Sequence, residues 1–407
     1  MYSSENIVSD ARHLAPEIQK LRHELHRQPE VGLDLPLTQQ RVLEWLEPLG
    51  FEVTLGQELS SVTAVLRGGA ARDDAPSVLL RGDMDALPVR EKSNVSYASQ
   101  TGNTMHACGH DLHTAMLAGA ATILADRRDQ LAGDVVFMFQ PGEEGFDGAG
   151  HMISEGVLEA AGATVDAAFG LHVMSALGTS GQFMSRPGPV MSSSAGLFVT
   201  VHGQGGHGSA PFLAKDPVYV AAEMVTAMQG MVTRRFDVFD PVVISVGVFE
   251  GGHARNVIPE TAHFEATVRS FSRETFAALE QELPRLLRGI ASAHGVDVEI
   301  ELRPEYPVTI NHESETAFAS RAVVELFDES AYAQMANPLA GSEDFSRVLE
   351  HVPGAFIFLS ALAPGIEASE AQFNHSPFAE FSDEVLPKGT ALYTHLAISK
   401  LAELSAN

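Results

Sequence analysis

Cysteine is almost absent: the 407-residue chain holds one, Cys108, so no intramolecular disulfide can staple the fold. A lone thiol fits a reducing compartment. No apolar run approaches the roughly 20 residues that a membrane span requires. The opening stretch Met1-Tyr2-Ser3-Ser4-Glu5-Asn6 lacks both the basic and the apolar segment of a secretory signal, and a cytoplasmic location is expected. Positive charge is scarce as well, with 26 Lys and Arg against 53 Asp and Glu, a net −27. That balance argues against nucleic acid or an anionic membrane as partner, and an anionic substrate would need a local cationic or amide clamp. There is no fixed-period repeat, no long low-complexity tract, no H-E-x-x-H helix and no G-x-S-x-G elbow.

What is present is a globular composition, 45% hydrophobic and 19% charged, in a chain too long for one ordinary core, which predicts two domains. Leu14, Ile18, Leu21 and Leu25 recur at helical spacing and predict a helix over 10–27 that stops before Pro29. Within it, His23-Glu24-Leu25-His26 lacks the i,i+4 histidine pair of a zinc helix and reads as an exposed face. A second helix is expected over 37–49, ended by Gly50. Strands at 62–67, 78–82, 135–139 and 167–173, with a helix over 112–127, predict an α/β sheet covered on both faces, an α/β/α sandwich. From 196 to 302 the order changes to strand (196–202), helix (217–232), strand (242–249), strand (263–270), helix (274–293) and strand (296–302). That β-α-β-β-α-β order is a ferredoxin-like unit. Patterns like the earlier ones resume after Tyr306-Pro307, so residues 192–307 read as an insertion into a first domain made of 1–191 and 308–407.

Polar clusters fall at the strand ends, where α/β sheets place their active sites. Asp83 and Asp85 are two apart on a strand end and can face one site, although turn-forming aspartates are common there. Cys108-Gly109-His110 enters a helix, where unpaired N–H groups favour a thiolate; the thiol is either a metal ligand, a nucleophile partnered by His110, or a small buried hydrophobe. His106 and His113 suit outer hydrogen bonding or packing as well as ligation. Glu143-Glu144 follows a strand and the turn Pro141-Gly142, so the two carboxylates diverge. One can bind metal while the other faces an attacking water, the division that metal-assisted hydrolysis needs. His172 and His375 offer imidazoles at a strand end and in a polar turn. Gly203-Gln204-Gly205-Gly206-His207-Gly208 matches G-x-G-x-x-G, but Pro211 interrupts it, no helix opens at once and no acidic residue ends a following strand, which argues against a dinucleotide site.

Taken together, Asp83-Met84-Asp85-Ala86-Leu87-Pro88, Met105-His106-Ala107-Cys108-Gly109-His110-Asp111, Gln140-Pro141-Gly142-Glu143-Glu144-Gly145, Leu171-His172-Val173, Gly205-Gly206-His207-Gly208, Arg255-Asn256-Val257-Ile258-Pro259, Gly341-Ser342-Glu343-Asp344-Phe345 and Asn374-His375-Ser376-Pro377 resemble subfamily D of the M20 metallopeptidases. Members of that subfamily include aminoacylase-like and hippurate hydrolase-like amidohydrolases and auxin-conjugate hydrolases. The resemblance implies a catalytic domain (1–191 and 308–407) with an inserted lid and dimerisation domain (192–307). It implies two divalent metal ions per subunit, manganese or zinc with cobalt or nickel as further candidates, held by Cys108, His110, Glu144, His172 and His375, with Cys108 bridging. Glu143 would be the general base acting on a metal-bound water, and Asp85 would orient the site. Asp83 falls where other branches have a metal-binding histidine and is not assigned as a ligand. By the same resemblance His207 would reach a neighbouring subunit's site to stabilise the oxyanion, while Asn256 and Arg255 would hold the substrate carboxylate. Relatives often carry histidine where Phe212 stands, which bears on the lid. The expected activity is hydrolysis of the amide bond of N-acyl amino acids or related small conjugates, by a homodimer or larger assembly. The alternatives are a dipeptidase or carboxypeptidase of the same fold, or a non-catalytic metal-binding relative.

Overall fold

Four largely aliphatic runs, Asp134–Gln140, Ser77–Asp83, Ala167–Met174 and Gly354–Ser360, lie side by side as parallel strands. They are buried almost end to end, as a parallel sheet covered on both faces requires. Val62–Leu66 and Glu52–Leu55 extend the sheet antiparallel beyond Asp134–Gln140. Phe183–Ser185 and Tyr332–Gln334 extend it beyond Gly354–Ser360, completing eight strands. The computed structural model describes residues 4–70 and 75–406. This sheet belongs to the first of two units, formed by Met1–Val190, Ile310–Asn337 and Asp344–Asn407.

Alternate strand residues divide between the two faces. Val78, Leu80, Phe137 and Phe169 share a cluster with Ile18, Leu117 and Leu392 from the helices Ser4–Arg27, His110–Ala125 and Leu386–Ser405. His110–Ala125 is buried nearly all round, so its sequence is apolar on every side beyond the first turn. Elsewhere in the unit, Gly148–Ser154 packs on the strand Asp134–Gln140 and on the short helix Ser346–His351. The first helix begins at Ser4, earlier than its hydrophobic period announces, and carries Pro16 inside it. The second is Pro36–Leu46 with a 3-10 turn to Leu49, ended by Gly50 at φ 69°.

The reading of His23-Glu24-Leu25-His26 as an exposed face is wrong. Leu25 and His26 are buried, and so is Arg22. Arg22 Nε donates to Asp111 Oδ2 at 2.9 Å, and its Nη1 donates to Tyr97 Oη at 2.8 Å and Asp383 Oδ1 at 2.5 Å. His26 Nδ1 lies 2.8 Å from Asp111 Oδ2, and its Nε2 lies 3.2 Å from Glu91 Oε1. His23 stacks on Tyr97 with ring centroids 3.7 Å apart. Polar residues on a helix look solvated in sequence; here their partners arrive from distant segments, and pairing makes the burial tolerable.

The second unit, Met191–Thr309 with Pro338–Glu343, contains a four-stranded antiparallel sheet in the order Val243–Gly251, Thr261–Arg269, Ser194–His202, Asp297–Tyr306. The helices Pro217–Arg235 and Arg273–His294 pack against it, which is the ferredoxin-like arrangement. Leu197, Val199, Val201, Phe264 and Val268 alternate onto the face that meets Met224, Met228, Leu279, Leu283 and Leu287. Local capping sets the helix starts: Asp216 accepts from the amides of Val218 and Tyr219, and Ser272 accepts from that of Thr275.

Burial alone would raise the Glu91 carboxyl, but hydrogen bonds from His26, Ser93 and the Ser99 amide overcome it and hold it at about 2, below the usual 4.5. A carboxyl depressed by folding stabilises the native state above its unfolded value and loses that contribution as pH falls toward the folded one. Denaturant unfolding of the parent and Glu91→Gln across acidic pH is therefore expected to show the parent losing its advantage between pH 4.5 and about 2. Parallel pH profiles would remove Glu91 from the acid response.

Candidate metal centre

The carboxyl ends of three neighbouring parallel strands bring the sequence-predicted residues together. Ser77–Asp83 delivers Asp83 and, just beyond, Asp85; Asp134–Gln140 leads into Glu143 and Glu144; Ala167–Met174 carries His172. Cys108 and His110 flank Gly109, the residue before the helix His110–Ala125, whose φ is 88°. A Cβ at Gly109 would overlap the side chain of Val173, so glycine is demanded there both by conformation and by space. His375 arrives from the C-terminal part of the chain.

Cys108 Sγ is the meeting point. It lies 3.4 Å from His172 Nε2 and 3.3 Å from His375 Nε2, and His375 Nε2 lies 3.1 Å from Glu144 Oε1. Cys108, His110 and His172 form one group able to hold a cation; Cys108, Glu144 and His375 form a second. His110, Glu143 and Glu144 form a third that overlaps both. Neither ring nitrogen of the fully buried His110 has a hydrogen-bond partner, and Glu144 Oε1, despite its proximity to His375, makes no well-aligned hydrogen bond. Buried polar atoms left without partners are rare and costly. The sulfur, nitrogen and carboxylate donors around them are those that zinc and similar divalent ions take, so the residues present fit a metal.

Charge agrees with that fit. The close approach of the Cys108 sulfur and the Glu144 carboxylate pushes His375 up to about 10. Burial would lower His110, but Asp83, Cys108 and Asp85 raise it well above the usual histidine value. His172 is driven well below that value by burial and by the neighbouring His113. Its Nδ1 lies 2.9 Å from the Val173 carbonyl oxygen, which makes Nδ1–H the donor and leaves Nε2 for the sulfur side.

The surrounding residues have assigned places. Asp85 Oδ1 accepts from the Glu143 amide at 2.9 Å and Oδ2 from the Glu144 amide at 3.0 Å, so one carboxylate fixes the turn that aims both glutamates. Asp83 is engaged by Arg81 Nη1 and His113 Nδ1, each at 2.5 Å. His113 Nε2 accepts from the Val173 amide at 2.7 Å, so His113 is spent on hydrogen bonds that brace two strand ends. Buried His106 is lowered to about 3 by desolvation and stays neutral. Sequence reading gave no role to Arg81, Gln140, Asp344 or Asn374. Asp344 accepts from Arg81 Nη2 at 3.0 Å, from Gln140 Nε2 at 2.7 Å and from the Ala149 amide at 2.9 Å. The sequence signal that could have found this network is Arg81 inside one apolar strand and Gln140 at the end of its neighbour.

His207, Arg255 and Asn256 lie in the second unit and are exposed. A two-stranded ribbon pairs Gly206–His207 with Val257–Ile258, with His207 opposite Val257, and the Gly208 amide donates to the Asn256 carbonyl at 2.8 Å. The ribbon therefore gathers all three residues, while Phe212 is 83% exposed in the next turn. Only a 3-10 turn (Pro211–Leu213) precedes the α-helix that opens at Pro217, so the glycine-rich run does not lead directly into an α-helix N-terminus as a dinucleotide fingerprint does.

Of the chemistries a parallel sheet can host, this donor set suits hydrolysis by a metal-activated water, and the class is that of the metallohydrolases. A family model described as peptidase family M20/M25/M40 matches residues 79–399, and the chain belongs to that family. It is 36% identical over 396 residues to a hippurate hydrolase of Campylobacter jejuni, covering 97% of this chain and 100% of the relative. It is 34% identical over 400 residues to thermostable carboxypeptidase 2 of Saccharolobus solfataricus, covering 97% and 98%. The crystal structure of the Bacillus subtilis YXEP protein, a dinuclear metal-binding peptidase of the M20 family, superposes with a TM-score of 0.82 at 30% identity, covering 96% of this chain and 99% of that one.

A thiol shared by two donor groups is shielded when they are filled. Iodoacetamide is expected to alkylate Cys108 more slowly in protein loaded with zinc or manganese than in chelator-stripped protein, with mass spectrometry following the modified peptide. Equal rates would mean the sulfur takes no part in metal binding.

Proposed function

We propose that this chain hydrolyses the amide bond of N-acyl amino acids or related small conjugates, using two divalent metal ions held by Cys108, His110, Glu144, His172 and His375. The observation that carries the reading is the Asp85 carboxylate, which takes both the Glu143 and the Glu144 amide. That clamp turns Glu144 toward His375 and Cys108 and leaves Glu143, 4.0 Å from His110 Nε2, outside the two groups that share the sulfur. Cys108 is the residue common to both groups and would be the donor shared between the two metal ions. Bound metal supplies Lewis acidity and a lowered water pKa. Thiolate and imidazole favour zinc, carboxylates accept manganese, cobalt or nickel, and the subfamily resemblance leans to manganese. Glu143 takes the proton of the attacking water and returns it to the leaving amine. A fold kept only for binding has no need of that second carboxylate, which weighs against a non-catalytic relative.

The substrate class follows from the relatives. Hippurate is an N-acylated glycine, and a carboxypeptidase substrate likewise carries a free carboxylate on the amine side of the scissile amide. Arg255 and Asn256 are the groups we assign to that carboxylate, and a local cation there answers the repulsion expected from a net charge of −27. The carboxypeptidase relative keeps a dipeptidase reading in play. A single reduced cysteine supports a cytoplasmic location, and among the described residues no helix is long and apolar enough to cross a membrane.

The second unit, near residues 192–307, is assigned as lid and dimerisation domain, with His207 supplied to the partner subunit's site to stabilise the oxyanion. Among the described residues its strand Val243–Gly251 has a sheet neighbour on one side only, and Val238 and Phe239, a few residues earlier in the chain, are 80% and 93% exposed. An open edge beside apolar side chains is a natural pairing surface.

Glu143→Ala is expected to keep the parent's metal content and lose about 10²–10⁴-fold in turnover, assayed over a panel of N-acyl amino acids and dipeptides. Parental turnover would take Glu143 out of the mechanism, and a preference for dipeptides would favour the peptidase reading. Mixing Glu143→Ala with His207→Ala subunits is expected to restore part of the activity through hybrid dimers. Absence of rescue after demonstrated subunit exchange would refute a role for His207 in trans.

A further inference from the structure

Asn374 precedes His375 in the chain, and its side-chain amide reaches three separate parts of the centre. Nδ2 donates to the Cys108 carbonyl at 3.1 Å and to the Val173 carbonyl at 3.0 Å, and it also lies 3.9 Å from Cys108 Sγ. Oδ1 accepts from the Ser175 amide at 3.0 Å and is within 3.0 Å of the Ser175 hydroxyl. These partners dictate the orientation of the amide, because two carbonyls can only accept and a backbone N–H can only donate. They also dictate the residue type: an aspartate would face two carbonyl oxygens with no proton to offer.

Each anchor sits on or beside a candidate ligand. The first carbonyl is that of Cys108 itself. The Val173 carbonyl also receives His172 Nδ1–H, so Asn374 fixes the acceptor that sets which nitrogen of His172 faces the sulfur. The third ligand is the next residue, His375, whose backbone takes the left-handed conformation at φ 71° while its amide donates to the Ala107 carbonyl at 2.8 Å. A non-glycine residue held there is strained and persists only where its surroundings over-determine it. The side chain of His375 is 54% exposed, so packing does little to hold it; its ring meets Cys108 Sγ and Glu144 Oε1, and its backbone follows directly on the anchored Asn374.

We propose that Asn374 is a positioning residue that ties Cys108, His172 and His375 into one preformed donor set. It touches neither substrate nor reacting atoms; it acts by fixing ligands, as outer hydrogen-bond partners of metal sites do. The inference rests on the ligand assignment proposed above, and the test separates the two.

Chelator-stripped parent, Asn374→Asp and Asn374→Ala would be titrated with Co²⁺, following the near-ultraviolet thiolate-to-cobalt charge-transfer band, alongside circular dichroism and thermal unfolding of the metal-free proteins. Asn374→Asp keeps volume and acceptor but deletes both donors; Asn374→Ala adds no charge and serves if the first variant does not fold. The expected result is metal-free folding like the parent's, cobalt binding weakened about 10–100-fold and a diminished or shifted band. A folded variant that binds cobalt with the parent's affinity and band overturns the proposal, as does a variant whose metal-free form is destabilised while its cobalt binding is unchanged. A parent without any thiolate-to-cobalt band overturns the ligand assignment itself, and this inference with it.

Discussion

The first unit is organised around a concentration of lone pairs at the sulfur of Cys108, which only protons or cations can neutralise. Cys108, Glu144, Glu143, Asp85 and Asp83 converge where water is largely excluded, and uncompensated charge there is expensive. The surrounding acids and sulfur favour the protonated forms of His110 and His375, raising both above the usual histidine value. His110 and His375, if they hold a metal, would give up those protons on binding it, which would link metal binding to protonation.

Two buried networks keep this arrangement from collapsing into simple ion pairing. On one side Arg22 and His26 hold Asp111, the residue after His110. On another, Arg81 engages Asp83 and Asp344 while Asp344 takes the amide of Gln140. The guanidinium groups are fully buried, and their planar forks satisfy several acceptors at once. Their effect is to spend the nearby acids on fixed partners, so that Asp83 is occupied while Glu143, Glu144 and Cys108 are aimed at one another's neighbourhood.

The architecture was largely legible because its causes are local. Unbroken aliphatic runs reported a sheet covered on both faces, and the β-α-β-β-α-β order of the second unit followed from the changing period of its apolar residues. The candidate donors stood out for a related reason: their types are chemically restricted, and they sit at strand ends, at a helix start and in a polar turn. The partners of Arg22, His26 and Asn374 were not legible. Each bond closes over a sequence separation of 65 residues or more, and nothing in a helical or turn pattern says whether a polar side chain meets water or a buried acid.

The sequence by itself thus determined the repertoire: one thiol, strand-end carboxylates, two adjacent glutamates and the periodicities that build two units. Which donors share the sulfur was decided only in three dimensions. A hydrogen bond or shared ligand depends on a few tenths of an ångström and on direction, and those are set by strand order and by the left-handed turns at Gly109 and His375. Asp83 and Glu144 are both acids beside strand ends, and packing alone spent the first on Arg81 and His113 and left the second to face the sulfur.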